Sequence, residues 1–461
     1  MSNQKDNTFV YKKKSGFAAP NFNQDVVFAF AEDYKAFMNA GKTERECVAI
    51  TETMVRKAGY VPFVYGTRYN RGDKVYYQNR GKAMVLVHMG QKPLEEGLRV
   101  SAAHIDAPRI DLKSQPIYDD GGMVLCKTHY YGGIKKYQWL TIPLALHGTV
   151  IRGDSTRVDI CVGEEKLDPV FSITDLPPHL AKEQSAKTLG DGIPGESLTP
   201  VIGSEPMDAR DEDGKLKEKL LSLLHEKYGV CEEDLLSAEL MFVPAYKARD
   251  VGFDRSMIGA YGQDDRVCAY PSLRALLDMQ TIPPHSSCVI LADKEEIGSV
   301  GNTGLESNFF FDMMDDMAEA RGENKRKMYA ASKCLSADVS VCYDPNYSSV
   351  FDKYNIAQIN QGAVICKYVG ARGKTGTSDA SAEYMGWIRN LFNQAGVVWQ
   401  TSEIGKVDQG GGGTVAKFLA SKNMDIVDFG VPVLSMHAPY ELTSKVDLYN
   451  TYLGVAALFQ S

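Results

Sequence analysis

Histidine and carboxylate side chains follow several apolar runs of this sequence, at positions where strands of a sheet would end. His104 and Asp106 come directly after the run 97–103, and their spacing points both side chains to the same side of an extended chain. A carboxylate placed there can fix the ring orientation of a metal-binding histidine. Taken alone, the pair also fits a packed histidine beside a surface aspartate.

Two consecutive glutamates, Glu295 and Glu296, come after the apolar run 289–292 and before a glycine-rich turn. Removing two carboxylates from water is unfavourable unless they are paired or bind a metal ion. Consecutive side chains on extended backbone diverge, so one glutamate could bind a metal while the other acts on water as a general base. A charged surface loop is the alternative for this segment.

Three further segments of the sequence add aspartate and histidine side chains to this pattern. Asp338 interrupts the apolar strand pattern 335–342, and a buried aspartate is rare unless it is paired or metal-bound. His437 ends another apolar run, and Asp264 and Asp265 stand where a loop enters a predicted helix, a place that also suits a solvated helix cap. Two histidines with several carboxylates suit Zn²⁺ or a similar divalent ion.

The glycine run 410–413 opens a predicted helix at Thr414. Backbone N–H groups of Gly411 and Gly412 could bind a carbonyl oxygen or an anion of a substrate. The spacing is not that of a P-loop, and a flexible turn is the alternative.

The elements that must position these residues alternate between helix and strand. Helical spacing over 24–40 and 42–58 is followed by strand patterns, and a strand–helix alternation returns from residue 257 onward. This alternation predicts a central sheet covered by helices on both faces.

The sequence between these two parts shows a different pattern. Residues 111–249 contain short β-rich runs and a polar, loop-rich segment at 175–213. We therefore predict an α/β protein in which a discontinuous catalytic domain, 1–110 and 250–461, carries an inserted, mostly β domain at 111–249.

Composition excludes several classes of protein. The 461 residues are 44% hydrophobic and 24% charged, which is typical of a globular chain and not of a disordered or fibrous one. The net charge of -8 gives no reason to expect nucleic acid or an anionic membrane as partner. Nine cysteines without C-x-x-C spacing, and a polar start without an apolar signal segment, predict a cytoplasmic protein with reduced thiols.

The ordered set of motifs resembles the aspartyl aminopeptidase family (M18), dinuclear zinc aminopeptidases of the MH clan, from about residue 100 to 459. The resemblance rests on five elements in the family's order: H-x-D at 104–106, D-[ND] at 264–265, D-x-E-E-[IV]-G-S at 293–299, S-A-D at 336–338 with P-N-Y at 345–347, and M-H at 436–437. Each motif is weak alone, but their combination and order are specific.

The resemblance implies an MH-clan mixed sheet flanked by helices and two divalent ions, Zn²⁺ first and Co²⁺ or Mn²⁺ as alternatives. It implies Glu295 as the catalytic general base, with Asp106 as the catalytic residue that supports the first metal position. The implied metal ligands are His104 and Asp338 for one ion, Glu296 and His437 for the other, and Asp264 bridging both.

Two departures from the family pattern concern the substrate rather than the metals. Asp344 stands where the family usually has histidine before P-N-Y, and the segment 131–139 lacks the family's Asp-Arg. Lys374, with Arg372 nearby, falls in the region of the family's basic substrate-pocket residues, and we take Lys374, Gly411 and Gly412 as candidate substrate contacts. These departures point to a divergent bacterial-type branch with a neutral or broader residue preference.

The resulting hypothesis is a metalloaminopeptidase that removes N-terminal residues from peptides. The resemblance further implies a homo-oligomer, a dodecamer assembled partly through the insertion. One alternative is another dinuclear hydrolase of the clan, a deacylase or a carboxypeptidase. A non-catalytic, oligomeric peptide-binding shell is the other alternative, but it would have lost a ligand or the base, and all six residues are present.

Overall fold

The computed structural model describes residues 9–20, 22–208 and 215–461. Within them the α-helices are α1 (Gln24–Ala40), α2 (Glu44–Lys57), α3 (Lys182–Ser185), α4 (Leu216–Tyr228), α5 (Gln263–Leu277), α6 (Phe309–Arg321), α7 (Lys325–Ala330), α8 (Ala382–Gln394), α9 (Ala416–Ala420) and α10 (Lys445–Phe459). The helix predicted over 42–58 begins at Glu44 because the Thr43 side chain caps it.

The strands fall into three sheets. In chain order they are β1 (Val61–Pro62), β2 (Lys74–Asn79), β3 (Ala83–His88), β4 (Arg99–His104), β5 (Arg109–Asp120), β6 (Met123–Tyr131), β7 (Leu144–Ile151), β8 (Arg157–Val162), β9 (Val201–Gly203), β10 (Glu239–Pro244), β11 (Arg249–Val251), β12 (Met257–Ala260), β13 (Ser287–Ala292), β14 (Lys333–Ala337), β15 (Ser340–Val341), β16 (Ala363–Cys366), β17 (Trp399–Thr401), β18 (Asp425–Gly430), β19 (Pro432–Leu434) and β20 (Glu441–Ser444).

The largest sheet is mixed and has the order β1-β2-β3-β13-β4-β14-β18-β16-β17. Its central neighbours β13, β4, β14 and β18 all run parallel. Val289 and Leu291 of β13 face the core that includes α1, α2, α5, α8 and α10, whereas Cys288 and Ile290 face the core of α6, α7 and α9. The predicted α/β architecture, a mixed sheet flanked by helices, is confirmed.

Two smaller sheets complete the fold. The order β8-β7-β10-β5-β6-β9 forms a six-stranded antiparallel sheet from residues 109–244, and α4 packs beside it. The order β11-β12-β20-β19-β15 forms a five-stranded sheet next to the start of α5. No helix in the described ranges has the length and apolar character needed to span a bilayer.

Buried ion pairs connect the six-stranded sheet to α2. His147 of β7 lies between two carboxylates, with Nδ1 2.7 Å from Glu46 and Nε2 3.1 Å from Glu164. Lys42 pairs with the same Glu164 carboxylate and also donates a hydrogen bond to the Pro244 carbonyl. Charged hydrogen bonds of this kind fix the angle between the sheet and the helix.

We expect these ion pairs to stabilise the fold most strongly at mildly acid pH. Burial alone would lower the pKa of His147, but hydrogen bonds with Cys161, Glu164 and Glu46 outweigh burial and raise that pKa to about 11. Because the unfolded chain has the ordinary histidine value near 6.5, the contribution is full below about pH 6.5 and declines as the pH rises toward 11.

The variant His147→Gln should therefore lower the melting temperature at both pH values, and the decrease should be a few degrees larger at pH 6 than at pH 9. Loss of charged hydrogen bonds worth about 1–3 kcal/mol gives a difference of this size. Scanning calorimetry of both proteins at both pH values measures this difference. The substitution His179→Gln, at an exposed position, is the control and should have the same small effect at each pH. An equal loss for His147→Gln at both pH values would contradict the expectation.

Candidate metal centre

Three adjacent parallel strands bring four of the predicted site residues to one edge of the large sheet. His104 is the last residue of β4, and Asp338 follows β14 by one residue. Glu295 and Glu296 follow β13 in a short 3₁₀ turn. Since β13, β4 and β14 are consecutive parallel neighbours, their carboxyl ends meet at the same edge.

The Asp264 carboxylate lies between two imidazole rings. Its Oδ1 is 3.1 Å from His104 Nε2, and its Oδ2 is 3.1 Å from His437 Nε2. The side chain lies in the first turn of α5 and is buried, as is its neighbour Asp265. A solvated helix cap is therefore excluded, and each Asp264 oxygen faces a different ring.

The remaining carboxylates divide between the two rings. Glu295 Oε2 and Asp338 Oδ1 lie 3.8 and 3.9 Å from His104 Nε2, and Glu296 Oε2 lies 3.5 Å from His437 Nε2. Donor atoms that share one ion at about 2.0–2.2 Å are themselves three to four ångströms apart. The structure thus brings together all six residues that the sequence singled out as ligands or base.

Burial and mutual repulsion set the charge state of the cluster. Burial raises the pKa of Glu295 to about 6. It also raises the pKa values of Glu296 and Asp338 well above the usual range, and the neighbouring carboxylates Asp264 and Asp265 add to these shifts. For Asp264 the effect of burial is outweighed by hydrogen bonds with the two histidines, which hold its pKa below the usual range.

Two carboxylate oxygens at the centre have no hydrogen-bond partner among the described residues: Glu296 Oε1 and Asp265 Oδ1. A buried carboxylate oxygen without a donor is unfavourable, and a divalent cation would offset both the missing donors and the repulsion. The donors are imidazole nitrogens and carboxylate oxygens, which Zn²⁺ accepts. The residues present therefore fit one or more divalent ions.

Asp106 lies next to the centre and contacts the backbone of the glutamate turn. Its carboxylate accepts hydrogen bonds from the backbone N–H groups of Glu295 (3.1 Å) and Glu296 (3.2 Å) and from the Tyr131 hydroxyl (2.8 Å). It also lies 3.3 Å from His104 Nδ1. The side chain is fully buried and is absent from the lining of the open cavity, so it acts by positioning the residues around it.

The six-stranded sheet contributes a contact that sequence reasoning missed. His437 Nδ1–H donates to the Gly133 carbonyl at 2.8 Å, which leaves Nε2 facing Asp264 and Glu296. The preceding Gly132 has φ +75°, and a Cβ there would lie 3.3 Å from the Glu296 Cβ. In the sequence, only the two consecutive glycines after β6 point to this contact; they favour a turn but do not show which residue the turn contacts.

A cavity of about 400 Å³ opens in front of the carboxylates. Its other walls are mostly apolar and include one cation, Lys417; the apolar lining residues include Val339, Val341, Val369, Ile404 and Met436. Gly411 and Gly412 line it, as the sequence suggested. However, the Gly412 N–H donates to the Val369 carbonyl at 2.9 Å, so it is not available to a substrate.

Lys374 lies apart from this cavity. It lines a neighbouring pocket of about 350 Å³ together with Arg372. Its Nζ is 3.1 Å from an Asp379 oxygen and 3.8 Å from the centre of the Tyr368 ring. The structure therefore does not bring Lys374 to the cavity in front of the clustered carboxylates.

Comparisons with known proteins show which family the chain resembles. Residues 37–459 match the family model described as aminopeptidase I zinc metalloprotease (M18). A probable M18 family aminopeptidase 1 from Clostridium acetobutylicum is 47% identical over 444 residues, which cover 94% of this chain and 95% of that protein.

Solved structures show the same fold. The crystal structure of an M18-family aminopeptidase from Thermotoga maritima has a TM-score of 0.93 and 40% identity, with 98% of this chain and 100% of that chain covered. A structure described as the S. cerevisiae mApe1 dodecamer has a TM-score of 0.76 at 21% identity and covers 95% of this chain and 97% of that chain.

Proposed function

The chain belongs to the M18 family of zinc metallopeptidases and is an aminopeptidase, a peptide hydrolase, and on this premise we propose that it works with two divalent ions and a glutamate base. The observation that carries the proposal is the Asp264 carboxylate, which directs one oxygen at His104 and the other at His437. In this proposal His104 and Asp338 would hold one ion, Glu296 and His437 would hold the other, and Asp264 would be a ligand of both.

Bound ions of this kind polarise the scissile carbonyl and lower the pKa of water. We propose Glu295 as the general base because it lines the cavity and burial raises its pKa above the usual range, which favours proton acceptance. Glu295 would take a proton from the attacking water and pass it to the leaving amine nitrogen. Asp106 would hold the Glu295 backbone in place through its N–H group.

We infer that the substrate's N-terminal side chain is neutral and apolar rather than acidic. The cavity beside the carboxylates is lined mainly by apolar side chains, and Lys374 is directed at Asp379 in a different pocket. An acidic side chain would be desolvated beside the existing carboxylates, and Lys417 is the one lysine or arginine in the lining, so its burial there is unfavourable.

We further propose the division into a catalytic domain, 1–110 and 250–461, and an inserted domain, 111–249, that serves assembly and access to the site. The six-stranded sheet at 109–244 and its Gly133 contact with His437 support this division. We propose a homo-oligomer, with the dodecamer as the expected form, because a protein of the same fold is a dodecamer.

The general base can be separated from the ligands by the variant Glu295→Gln. We expect kcat to fall by about 10²–10⁴-fold, as for loss of a general base, while the bound metal stays at the wild-type amount. Peptide hydrolysis and elemental analysis of the same sample measure both quantities. Glu306→Gln, at an exposed position, is the control. Loss of one metal ion would instead identify Glu295 as a ligand, since its carboxylate also lies near His104 and Asp338.

A substrate panel tests the reaction class and the preference together. We expect leucyl and methionyl peptides to be cleaved at least about tenfold faster, in kcat/KM, than aspartyl or glutamyl peptides, in line with the selectivity of apolar pockets. N-acetylated peptides should be inert, and a chelator should abolish activity until Zn²⁺, Co²⁺ or Mn²⁺ is restored. Cleavage of acetylated peptides would favour a deacylase or carboxypeptidase, and faster cleavage of acidic peptides would overturn the preference.

Assembly is tested by analytical ultracentrifugation of the purified chain at micromolar concentration. We expect a species of twelve chain masses. A monomer at that concentration would contradict the proposed oligomer without affecting the proposed chemistry.

A further inference from the structure

Glu441 is a buried carboxylate outside the proposed ligand set. It is the first residue of β20, and 1% of its surface is exposed. Its Oε2 accepts hydrogen bonds from the backbone N–H groups of Gln263 (2.6 Å) and Asp264 (3.2 Å), and its Oε1 accepts from the N–H of His437 (2.8 Å). One carboxylate thus joins the backbones of two proposed ligands.

The main chain of Glu441 strengthens the same connection. Glu441 pairs with Ala260 where β20 lies antiparallel to β12, the strand that leads into Asp264. The Gln263 side-chain amide donates to the Glu441 carbonyl at 2.6 Å and to the Ile258 carbonyl at 3.1 Å. Both the side chain and the carbonyl of Glu441 therefore hold the segment that carries the bridging aspartate.

On the other side, Glu441 holds the loop that carries His437. His437 has φ +65°, in the left-handed region that residues with a side chain adopt less often than glycine and that surrounding contacts can stabilise. The hydrogen bond from His437 N–H to Glu441 is such a contact, and the bond from His437 Nδ1 to Gly133 is a second. Together they direct Nε2 toward Asp264 and Glu296.

We propose that Glu441 is a positioning residue that sets the distance between Asp264 and His437 and thereby forms the second of the two metal positions. This inference rests on the proposed dinuclear site. It predicts an asymmetry, because no hydrogen bond of the Glu441 side chain goes to His104, Glu295 or Asp338 in the described structure. Asp106 supports His104 and the glutamate turn instead.

The variant Glu441→Gln tests the asymmetry in the full-length protein. Its amide keeps one acceptor oxygen, but its NH₂ group would face a backbone N–H of Asp264 or His437, so that two donors point at each other and one hydrogen bond is lost. After metal removal by a chelator, zinc binding is measured by competition with a chromogenic chelator. We expect the site of Glu296 and His437 to weaken by about 10–100-fold, as for loss of a group that orients ligands, and the site of His104 and Asp338 to weaken much less, because the two sites share only Asp264.

Asp447→Asn is a matched control. Asp447 is also fully buried and accepts two backbone N–H groups, from Asn360 and Gly362, both at 2.7 Å, but it contacts no proposed ligand. It should lower the melting temperature while leaving both zinc affinities unchanged. Asp264→Asn, which alters the bridging residue, should weaken both sites.

The outcomes separate the two proposals. Two unchanged zinc sites in Glu441→Gln, or the same selective loss in Asp447→Asn, would overturn the role of Glu441 and leave the dinuclear site intact. Fewer than two ions bound by the wild-type protein would overturn the dinuclear site itself. If Glu441→Gln does not fold, Glu441→Asp keeps both oxygens on a shorter side chain and should show a smaller weakening of the same single site.

Discussion

Electrostatic repulsion among buried carboxylates dominates the edge of the large sheet where β13, β4 and β14 end. Asp264, Asp265 and Asp338 have oxygens within 4.8 Å of one another, and the glutamate pair adds two more carboxylates beside the histidines. Such a group is stable only if positive charge and N–H donors surround it. A bound divalent ion would supply the charge with the two imidazoles among its ligands, and the backbone supplies the donors.

Two buried acids hold the backbone around the centre by accepting several of these N–H groups. Asp106 accepts the N–H groups of the glutamate turn, whereas Glu441 accepts those of the α5 start and the His437 loop. Neither lines the open cavity. The hydrogen bonds to these two acids fix the main chain of residues that face the cavity, and the bond from His437 Nδ1 to Gly133 fixes a side chain as well.

The six-stranded sheet contacts the residues that surround the metal centre. Its turn after β6 contacts His437 through Gly133, and the hydroxyl of Tyr131 contacts Asp106. At its other end, His147 and Lys42 tie the sheet to α2 through charged hydrogen bonds. A change in the angle between this sheet and α2 would therefore move two groups that orient the proposed metal ligands.

The sequence by itself determined the α/β architecture, the residue types of the site and their places at strand ends, because apolar periodicity and interrupted runs are local properties of a chain. It did not determine that an Asp264 oxygen faces each histidine, that Lys374 lies in another pocket, or that Glu441 holds two ligand backbones. Only the tertiary structure decided these, because they depend on strand order and on contacts between residues separated by up to 304 positions, which no local pattern encodes.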